Sequence, residues 1–327
     1  MSGAVSKALV TGGAGFIGSH IVDELIGRGI ETVVIDNLSS GFMGNLAQHA
    51  GNSLLRVIEG DVFQVEELLK GVDGIDVVFH EAAIASVPKS VQDPLLVHRV
   101  NVDASLHLMN YCVGKRIRRL IFASSAAVYG VLKTFPASED LVCSPASPYG
   151  SSKLAVECYL SSFYQTYGLE TVGLRYFNVY GPRQRMSDYS GVITVFINNL
   201  LQGTTPTIFG DGAQTRDFVF VKDIVRANML AMETTSANGE RFNVASGTST
   251  SILDLLMVLE DITGVKLAPR FMPERVGDVK SGEGSIAKIE RALGYRSSTA
   301  IREGLAQVVD AIKAEAESAQ CRITSPQ

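Results

Sequence analysis

The stretch "ALVTGGAGFIGSH", residues 8–20, runs from an apolar β-type segment through Gly12, Gly15 and Gly18 into a helical pattern that closes at Gly29. A strand, a glycine turn and a helix in that order form the start of a dinucleotide-binding βαβ unit. The first glycine allows the turn, the second lets backbone approach a pyrophosphate, and the third lets helix and strand pack closely. The phosphates would meet the free N–H groups at the helix N-terminus. Asp36 ends the next strand, "TVVID". A carboxylate there accepts hydrogen bonds from the adenosine ribose hydroxyls and repels a 2′-phosphate, so NAD is expected rather than NADP. Asp61 closes a third strand in "EGDV". There it either meets the adenine edge or serves as a turn acid.

The alternation continues outward. "SLLRVIEGD", "DVVFHEAA", "LIFASS" and "TVGLRY" read as strands, with helical segments such as "PLLVHRVNVDASLHLMNYCV" and 149–167 between them. Continuous apolar strands separated by helices predict an α/β protein with a Rossmann-type, doubly wound parallel sheet buried on both faces. After residue 176 the pattern turns polar and loop-like. "TSTSILDLLMVLEDITG" opens on hydroxyl caps and closes at Gly264, as a helix should. The expected division is a NAD-binding domain of 1–175 plus 218–246, a smaller C-terminal substrate lobe of 176–217 plus 247–315, and a disordered polar tail over 316–327.

At 46% hydrophobic over 327 residues the chain can bury a large core, and a net charge of −5 with no basic block argues against a nucleic-acid or membrane partner. No apolar run is long enough for a transmembrane helix, and the N-terminus lacks a signal-peptide pattern, so a cytoplasmic protein is expected. Cys112, Cys143, Cys158 and Cys321 have no CxxC spacing and read as reduced thiols. His20, His49, His80, His98 and His107 show no metal-binding spacing, so no metal is expected. His80, at a strand end, reads as a packed or cofactor-flanking residue.

A second cluster carries chemistry. "LIFASSAAVYG" ends a strand with Ser124 and Ser125, and "PASPYGSSKLAVECYL" opens a helix with Tyr149 and Lys153 one turn apart. In an open parallel sheet the carboxyl ends of the strands line the ligand crevice. A spacing of four puts both side chains on one helix face. A free phenol titrates near ~10 and a lysine near ~10.4, so neither is a base at neutral pH. Side by side, with a nicotinium charge nearby, they are expected to shift downward. A phenolate would then take an alcohol proton while hydride leaves the carbinol carbon, with a serine hydroxyl holding the oxygen.

With these residues in place, the chain resembles the extended short-chain dehydrogenase/reductases, in their nucleotide-sugar epimerase/dehydratase branch. "TGGAGFIG", the serine-strand end, "SPYGSSK", "LRYFNVYGPRQ", "GDGAQTRDFVFVKD" and "RVGDV" occur in the branch's order over roughly residues 5–315. The resemblance implies NAD contacts at Gly12, Gly15, Phe16, Ile17, Gly18, Asp36, Asn37, Asp61, Val62, Ala82, Ala83, Asn101, Tyr149, Lys153 and Tyr176. It implies Tyr149, Lys153 and Ser125 as catalytic residues. It implies UDP-sugar contacts at Ser86, Ser125, Tyr149, Asn178, Val192, Thr207, Phe209, Arg216, Arg275, Asp278 and Gly282. Two arginines suit a diphosphate through charge-assisted hydrogen bonds.

Dehydratases of the branch place an acidic pair after the strand-end hydroxyl, whereas Ala126 and Ala127 stand here. Decarboxylating members carry a glutamate in that region, also absent. The resemblance therefore implies an isomerase, a 4-epimerase that oxidises and re-reduces C4 of a UDP-hexose. "HEAAIASVPKSVQDP" is similar to epimerases of UDP-N-acetylhexosamines, and Gly282 stands where narrower members often have a tyrosine. Gly282 either leaves room for a 2-acetamido group or is a turn residue. Ala85 replaces a lysine of some galactose epimerases. The expected substrate pair is UDP-GlcNAc/UDP-GalNAc, with UDP-glucose/UDP-galactose as a second activity; the alternatives are UDP-glucose alone or UDP-glucuronate, with a non-catalytic dinucleotide sensor as the non-enzymatic one. The family's habit of pairing the helices at 93–113 and 149–167 implies a homodimer.

Overall fold

The structure, a computed structural model, describes residues 5–132, 134–185, 191–274 and 281–324. The chain begins β1 (Lys7–Thr11), α1 (Phe16–Gly27), β2 (Glu31–Asp36), β3 (Leu55–Glu59), the short α2 (Val65–Leu68) and β4 (Val77–His80). Next come α3 (Val87–Gln92), α4 (Pro94–His98), α5 (Ala104–Gly114), β5 (Arg119–Ser125), α6 (Pro148–Tyr167) and β6 (Glu170–Tyr176). The remainder is β7 (Asn178–Tyr180), α7 (Val192–Gln202), β8 (Thr207–Phe209), β9 (Thr215–Arg216), β10 (Phe218–Phe220), α8 (Val221–Glu233), β11 (Glu240–Val244), β12 (Thr250–Ser251), α9 (Ile252–Thr263), β13 (Arg270–Met272), α10 (Ala287–Leu293) and α11 (Ile301–Thr324).

Among the described residues the main sheet has seven strands, all parallel, in the order β11-β6-β5-β4-β1-β2-β3. The order reverses between β1 and β4, and the crevice at such a reversal is where an open α/β sheet binds its ligand. The strands are apolar throughout because both faces are covered. Their pleat sorts the side chains: Ala8, Val10, Val34 and Phe79 pack with Ile21, Val22 and Leu25 of α1 and Ile224 and Ala227 of α8. The alternate residues Leu9, Val33, Ile35, Val78 and Phe122 pack with Leu108 and Met109 of α5 and Val156, Leu160 and Phe163 of α6. A third cluster joins α7, α9 and α11 through Phe196, Leu200, Leu255, Leu259, Leu305 and Val309.

Helix α6 shows how local sequence sets the frame. Ser147 accepts a hydrogen bond from the Gly150 N–H at 3.2 Å, Pro148 fills the first turn, and Gly168 ends the helix in the left-handed region at φ 71°. Arg119, at the start of β5 and 1% exposed, donates to the Ala231 and Met232 carbonyls at 2.7 Å each, satisfying the end of α8.

Three expectations change. The helical run from 94 is broken by a π-turn at Arg99–Asp103, where Ser105 Oγ donates to the Asn101 carbonyl at 2.6 Å. Residues 287–295, expected in the smaller lobe, place Ile289, Leu293 and Tyr295 in the core beneath the main sheet. The tail expected to be disordered from 316 is helical to Thr324, since its Ala, Glu and Gln residues favour helix and Pro326 lies beyond the last turn. No helix among the described residues is long and apolar enough to cross a membrane.

Candidate active site

The glycine turn between β1 and α1 leaves no room for side chains at its glycines. Gly12 has φ +70°, and a Cβ on it would stand 2.8 Å from the Ala82 nitrogen. A Cβ on Gly18 would stand 2.2 Å from the Gly12 carbonyl oxygen, and one on Gly15 3.0 Å from it. No side chain caps α1 and no acidic residue occupies its first turn, so its leading N–H groups are left for an anion. They open on a cavity of about 250 Å³ lined by Gly12, Gly15, Phe16, Ile17, Gly18, Asp36, Asn37, Asp61, Val62, Ala82 and Ala83. A cradle that a Cβ would fill, with free N–H groups and a carboxylate at the far end, fits a dinucleotide.

The carboxylates are partly engaged already. Asp36 accepts the Ala14 N–H at 2.9 Å and the Leu38 N–H at 2.8 Å, which aims the carboxylate while leaving lone pairs for ribose hydroxyls. Asp61 accepts the Phe63 N–H at 3.1 Å and the Asn37 amide at 3.0 Å, so it caps a turn and lines the cavity at once. Asn101, expected along the cofactor, is buried, and its amide instead grips the Ile84 N–H at 2.8 Å, the Ile84 carbonyl at 3.2 Å and Ser152 Oγ at 3.1 Å. Tyr176, also expected there, donates its hydroxyl proton to Glu81 at 2.9 Å and accepts from Asn228 at 2.7 Å. His80 is the packed residue, held by Thr11 Oγ1 at 2.7 Å and Ser105 Oγ at 2.8 Å, and burial lowers it to about 3, so it is neutral.

β5 and α6 bring the second cluster together. Ser125 ends β5, close enough to the Tyr149 phenol to favour its ionised form, and accepts the Ala127 N–H at 3.1 Å. Lys153 is 3% exposed, donates to the Ala123 carbonyl at 2.7 Å, and lies 5.9 Å from the Tyr149 ring centre. Ser124 does not face this group. It donates to Glu157 at 2.5 Å, and Glu157 pairs with Arg175 at 2.7 Å, both nearly fully buried. That pair ties α6 to β6 beneath the site.

The protein's own groups shift both members of the pair. Burial raises the Tyr149 phenol above its usual value; the Ser125 bond opposes this, and Glu81 adds to it. Lys153 does move down, to about 8, because burial outweighs the attraction of Glu81. Enclosure penalises the phenolate and the ammonium alike.

Beyond β6 a second cavity, of about 420 Å³, is lined by Asn178, Val192, Thr207, Phe209 and Arg216, with Gln184, Phe196 and Gln214. Asp217, fully buried, accepts from the Ser246, Gly247 and Gly284 N–H groups at 2.7, 3.1 and 3.2 Å, which fixes the strand carrying Arg216. Gly282 stands against Arg216, and a Cβ on it would meet nothing closer than the Thr215 oxygen at 3.5 Å. Its φ lies outside the left-handed region, so the backbone does not demand glycine there. Ser86 accepts the Lys89 N–H at 3.2 Å as the cap of α3. Arg275 and Asp278 lie outside the described residues.

Residues 8–245 match the family model described as the NAD dependent epimerase/dehydratase family. The chain belongs to this family. It is 37% identical to a UDP-glucose 4-epimerase of Mycolicibacterium smegmatis over 93% of this chain and 97% of that one. It is similar to a solved UDP-N-acetylglucosamine 4-epimerase of Methanobrevibacter ruminantium M1, in complex with UDP-N-acetylmuramic acid. That likeness is 40% identity and a TM-score of 0.91, covering 96% of this chain and 100% of the other. It is also similar to a UDP-glucuronic acid 4-epimerase of Bacillus cereus solved with UDP-glucuronic acid and NAD, at 34% identity and a TM-score of 0.87, covering 94% and 99%.

Within the family frame, the residues that sequence reasoning missed are Glu81, Gln184 and Gln214. Glu81 lines the dinucleotide cavity, and Gln184 and Gln214 line the second. A signal for Glu81 was present: a lone acid at a strand end inside "DVVFHEAA" is either paired or functional.

Proposed function

We propose that this NAD-dependent isomerase inverts C4 of a UDP-hexose, with UDP-GlcNAc and UDP-GalNAc as its main pair and UDP-glucose and UDP-galactose as the smaller one. The observation that carries the reading is the Ser125–Tyr149–Lys153 group with alanines, not acids, at positions 126 and 127. With no acid at those two positions, the acidic pair that a dehydratase would use to protonate a leaving hydroxyl is missing, which favours C4 oxidation and its reversal.

The first turn of α1 would hold the pyrophosphate of NAD, Asp36 the adenosine ribose, and Lys153 the nicotinamide ribose. When bound, NAD⁺ would supply hydride acceptance and donation at C4. Tyr149 takes the proton from O4 as C4 is oxidised, so the O–H and C–H bonds break while the carbonyl forms. Ser125 donates to that oxygen throughout. Tyr149 gives the proton back when C4 is reduced, and no net proton is consumed. The positive charge of a bound nicotinamide would lower the phenol that burial alone raises. Arg216 holds the diphosphate while the sugar turns, and Gly282 leaves the 2-acetamido group its space. As the single small residue at that point it sets permission, a matter of about 1–3 kcal/mol for a pocket contact.

Proton NMR of the protein with NAD⁺ and, separately, UDP-GlcNAc, UDP-glucose and UDP-glucuronate tests this reading. UDP-GalNAc as a product supports the open pocket. Conversion of UDP-glucose alone would remove the Gly282 argument, and turnover of UDP-glucuronate alone would move the substrate to a 6-carboxylate. We also infer a homodimer through the helices at 93–113 and 149–167, where Leu95 and Tyr159 are exposed. Light scattering showing only a 35 kDa species would refute it.

A further inference from the structure

Ser125 stands between two residues that grip one buried ion pair. Ser124, just before it, donates to Glu157 at 2.5 Å, and Glu157 receives the Arg175 guanidinium twice, at 2.9 and 2.7 Å. Just after it the chain makes one 3₁₀ turn, Ala126–Tyr129, and the Tyr129 hydroxyl accepts from Arg175 at 2.9 Å. The same hydroxyl donates to Asn243 Oδ1 at 2.6 Å, and the Asn243 amide is anchored by donating to the Ala137 carbonyl at 2.8 Å. The guanidinium also lies over the Tyr129 ring, 4.8 Å from its centre. All of these side chains are buried. A buried ion pair is weak evidence for stability, because desolvation offsets the attraction between its charges. This one fixes geometry instead: Glu157 holds the chain at 124 and Arg175 holds it at 129.

The turn carries that grip to Ser125. Ser125 is its cap, and the Ser125 oxygen accepts the Ala127 N–H at 3.1 Å. The bond selects one rotamer and leaves the Ser125 proton free to be donated. A Cβ on Gly150 would stand 2.5 Å from the Ala127 carbonyl oxygen, so the turn is seated against the start of α6, beside Tyr149. A turn capped by Ser125 at one end and held by the Tyr129 hydroxyl at the other cannot rotate without breaking one of these bonds. We propose that Tyr129 is a positioning residue for Ser125: its hydroxyl, shared between Arg175 and Asn243, sets the 126–129 turn so that the Ser125 O–H points at the substrate oxygen. The inference rests on the reading of Ser125 as the donor to O4. Tyr129 is only 2% exposed, so it acts through the turn and not on the substrate.

The test is a double-mutant cycle. Tyr129→Phe keeps the ring against the guanidinium and removes the hydroxyl. With Ser125 present, kcat for C4 inversion is expected to fall about 10-fold or more, since a small misplacement of a reacting group is costly. KM should change by less than about twofold, because the lost bond is one that strengthens as charge develops on O4. In a Ser125→Ala background the same change should cost less than about twofold in kcat, since the hydroxyl it would aim is gone. A merely structural role would lower the melting temperature and slow both backgrounds alike. Ser124→Ala, which frees the other end of the stretch, should repeat the pattern and serves in place of Tyr129→Phe if that variant folds poorly. Crystal structures of parent and variant read the same point without turnover: the separation of the Ser125 oxygen from the Ala127 nitrogen should open from 3.1 Å to beyond about 3.5 Å. Equal losses in the two backgrounds, an unchanged kcat with Ser125 present, or an unmoved turn overturn the proposal. An opened turn in a protein that never inverts C4 leaves this inference standing and sinks the proposed function. C4 inversion with an unmoved turn does the reverse.

Discussion

His80 and Glu81 are neighbours in sequence with opposite proton preferences, and this has a consequence for acid stability. Burial lowers His80 from 6.5 to about 3. The folded state therefore binds fewer protons at this site, and the stability it contributes is complete above 6.5 and lost as pH falls toward 3. At about 1.4 kcal/mol per pH unit, the whole loss is about 5 kcal/mol. Glu81 is raised from 4.5 to about 7, so the folded state binds more protons there. Its contribution grows as pH falls from 7 to 4.5 and is level below that. Between 6.5 and 4.5 the two slopes cancel, and below 4.5 only the His80 loss remains. Water in the cavity that Glu81 faces trims its share. Glu81→Gln removes the compensation, so this variant should lose about 2–3 kcal/mol between pH 6.5 and 4.5 that the parent keeps. Urea unfolding followed by far-UV circular dichroism at half-unit pH steps reads this directly. Parallel stability curves for the two proteins over that range would refute the opposed-pair reasoning.

Further outcomes follow from single contacts. Gly18→Ala drives a Cβ to 2.2 Å from the Gly12 oxygen; calorimetry should show NAD⁺ affinity falling at least ~100-fold, and near-normal binding would mean the turn can relax. Arg175→Met strands the buried Glu157 carboxylate; the cost should be about 3–5 kcal/mol by chemical denaturation, with a loss under about 1 kcal/mol showing that water reaches the pair. Gly282→Tyr fills the space beside Arg216; turnover of UDP-GlcNAc should fall about 10-fold or more relative to UDP-glucose, and an unchanged ratio would place the 2-acetamido group elsewhere.

The parallel sheet was legible because each strand is a continuous apolar run and each crossover is a helix with its own caps, as with Ser147, Pro148 and Gly168 around α6. The glycine cradle was legible because steric demand at Gly12 and Gly18 falls on the residues themselves. What could not be read was how polar side chains distribute their bonds. Asn101 looks like any cavity-facing amide in sequence, yet it is turned onto Ile84 across a loop. The tail at 316–324 looked disordered from its polarity, while its helix propensity told the other way. The direction of the Tyr149 shift depended on enclosure and on Glu81, sixty-eight positions earlier in the chain, and i,i+4 spacing carries no information about either.

The central claim is that one hydride leaves C4 and the same one returns. Its most direct test is turnover of UDP-GlcNAc deuterated at C4, in ordinary water with unlabelled NAD⁺, read by NMR and mass spectrometry of the epimerised product. Transfer between Tyr149-activated C4 and a cofactor held in the α1 cradle predicts that the product keeps its deuterium at C4. A product carrying solvent hydrogen at C4 would contradict it, since the carbon would then have been inverted by proton exchange.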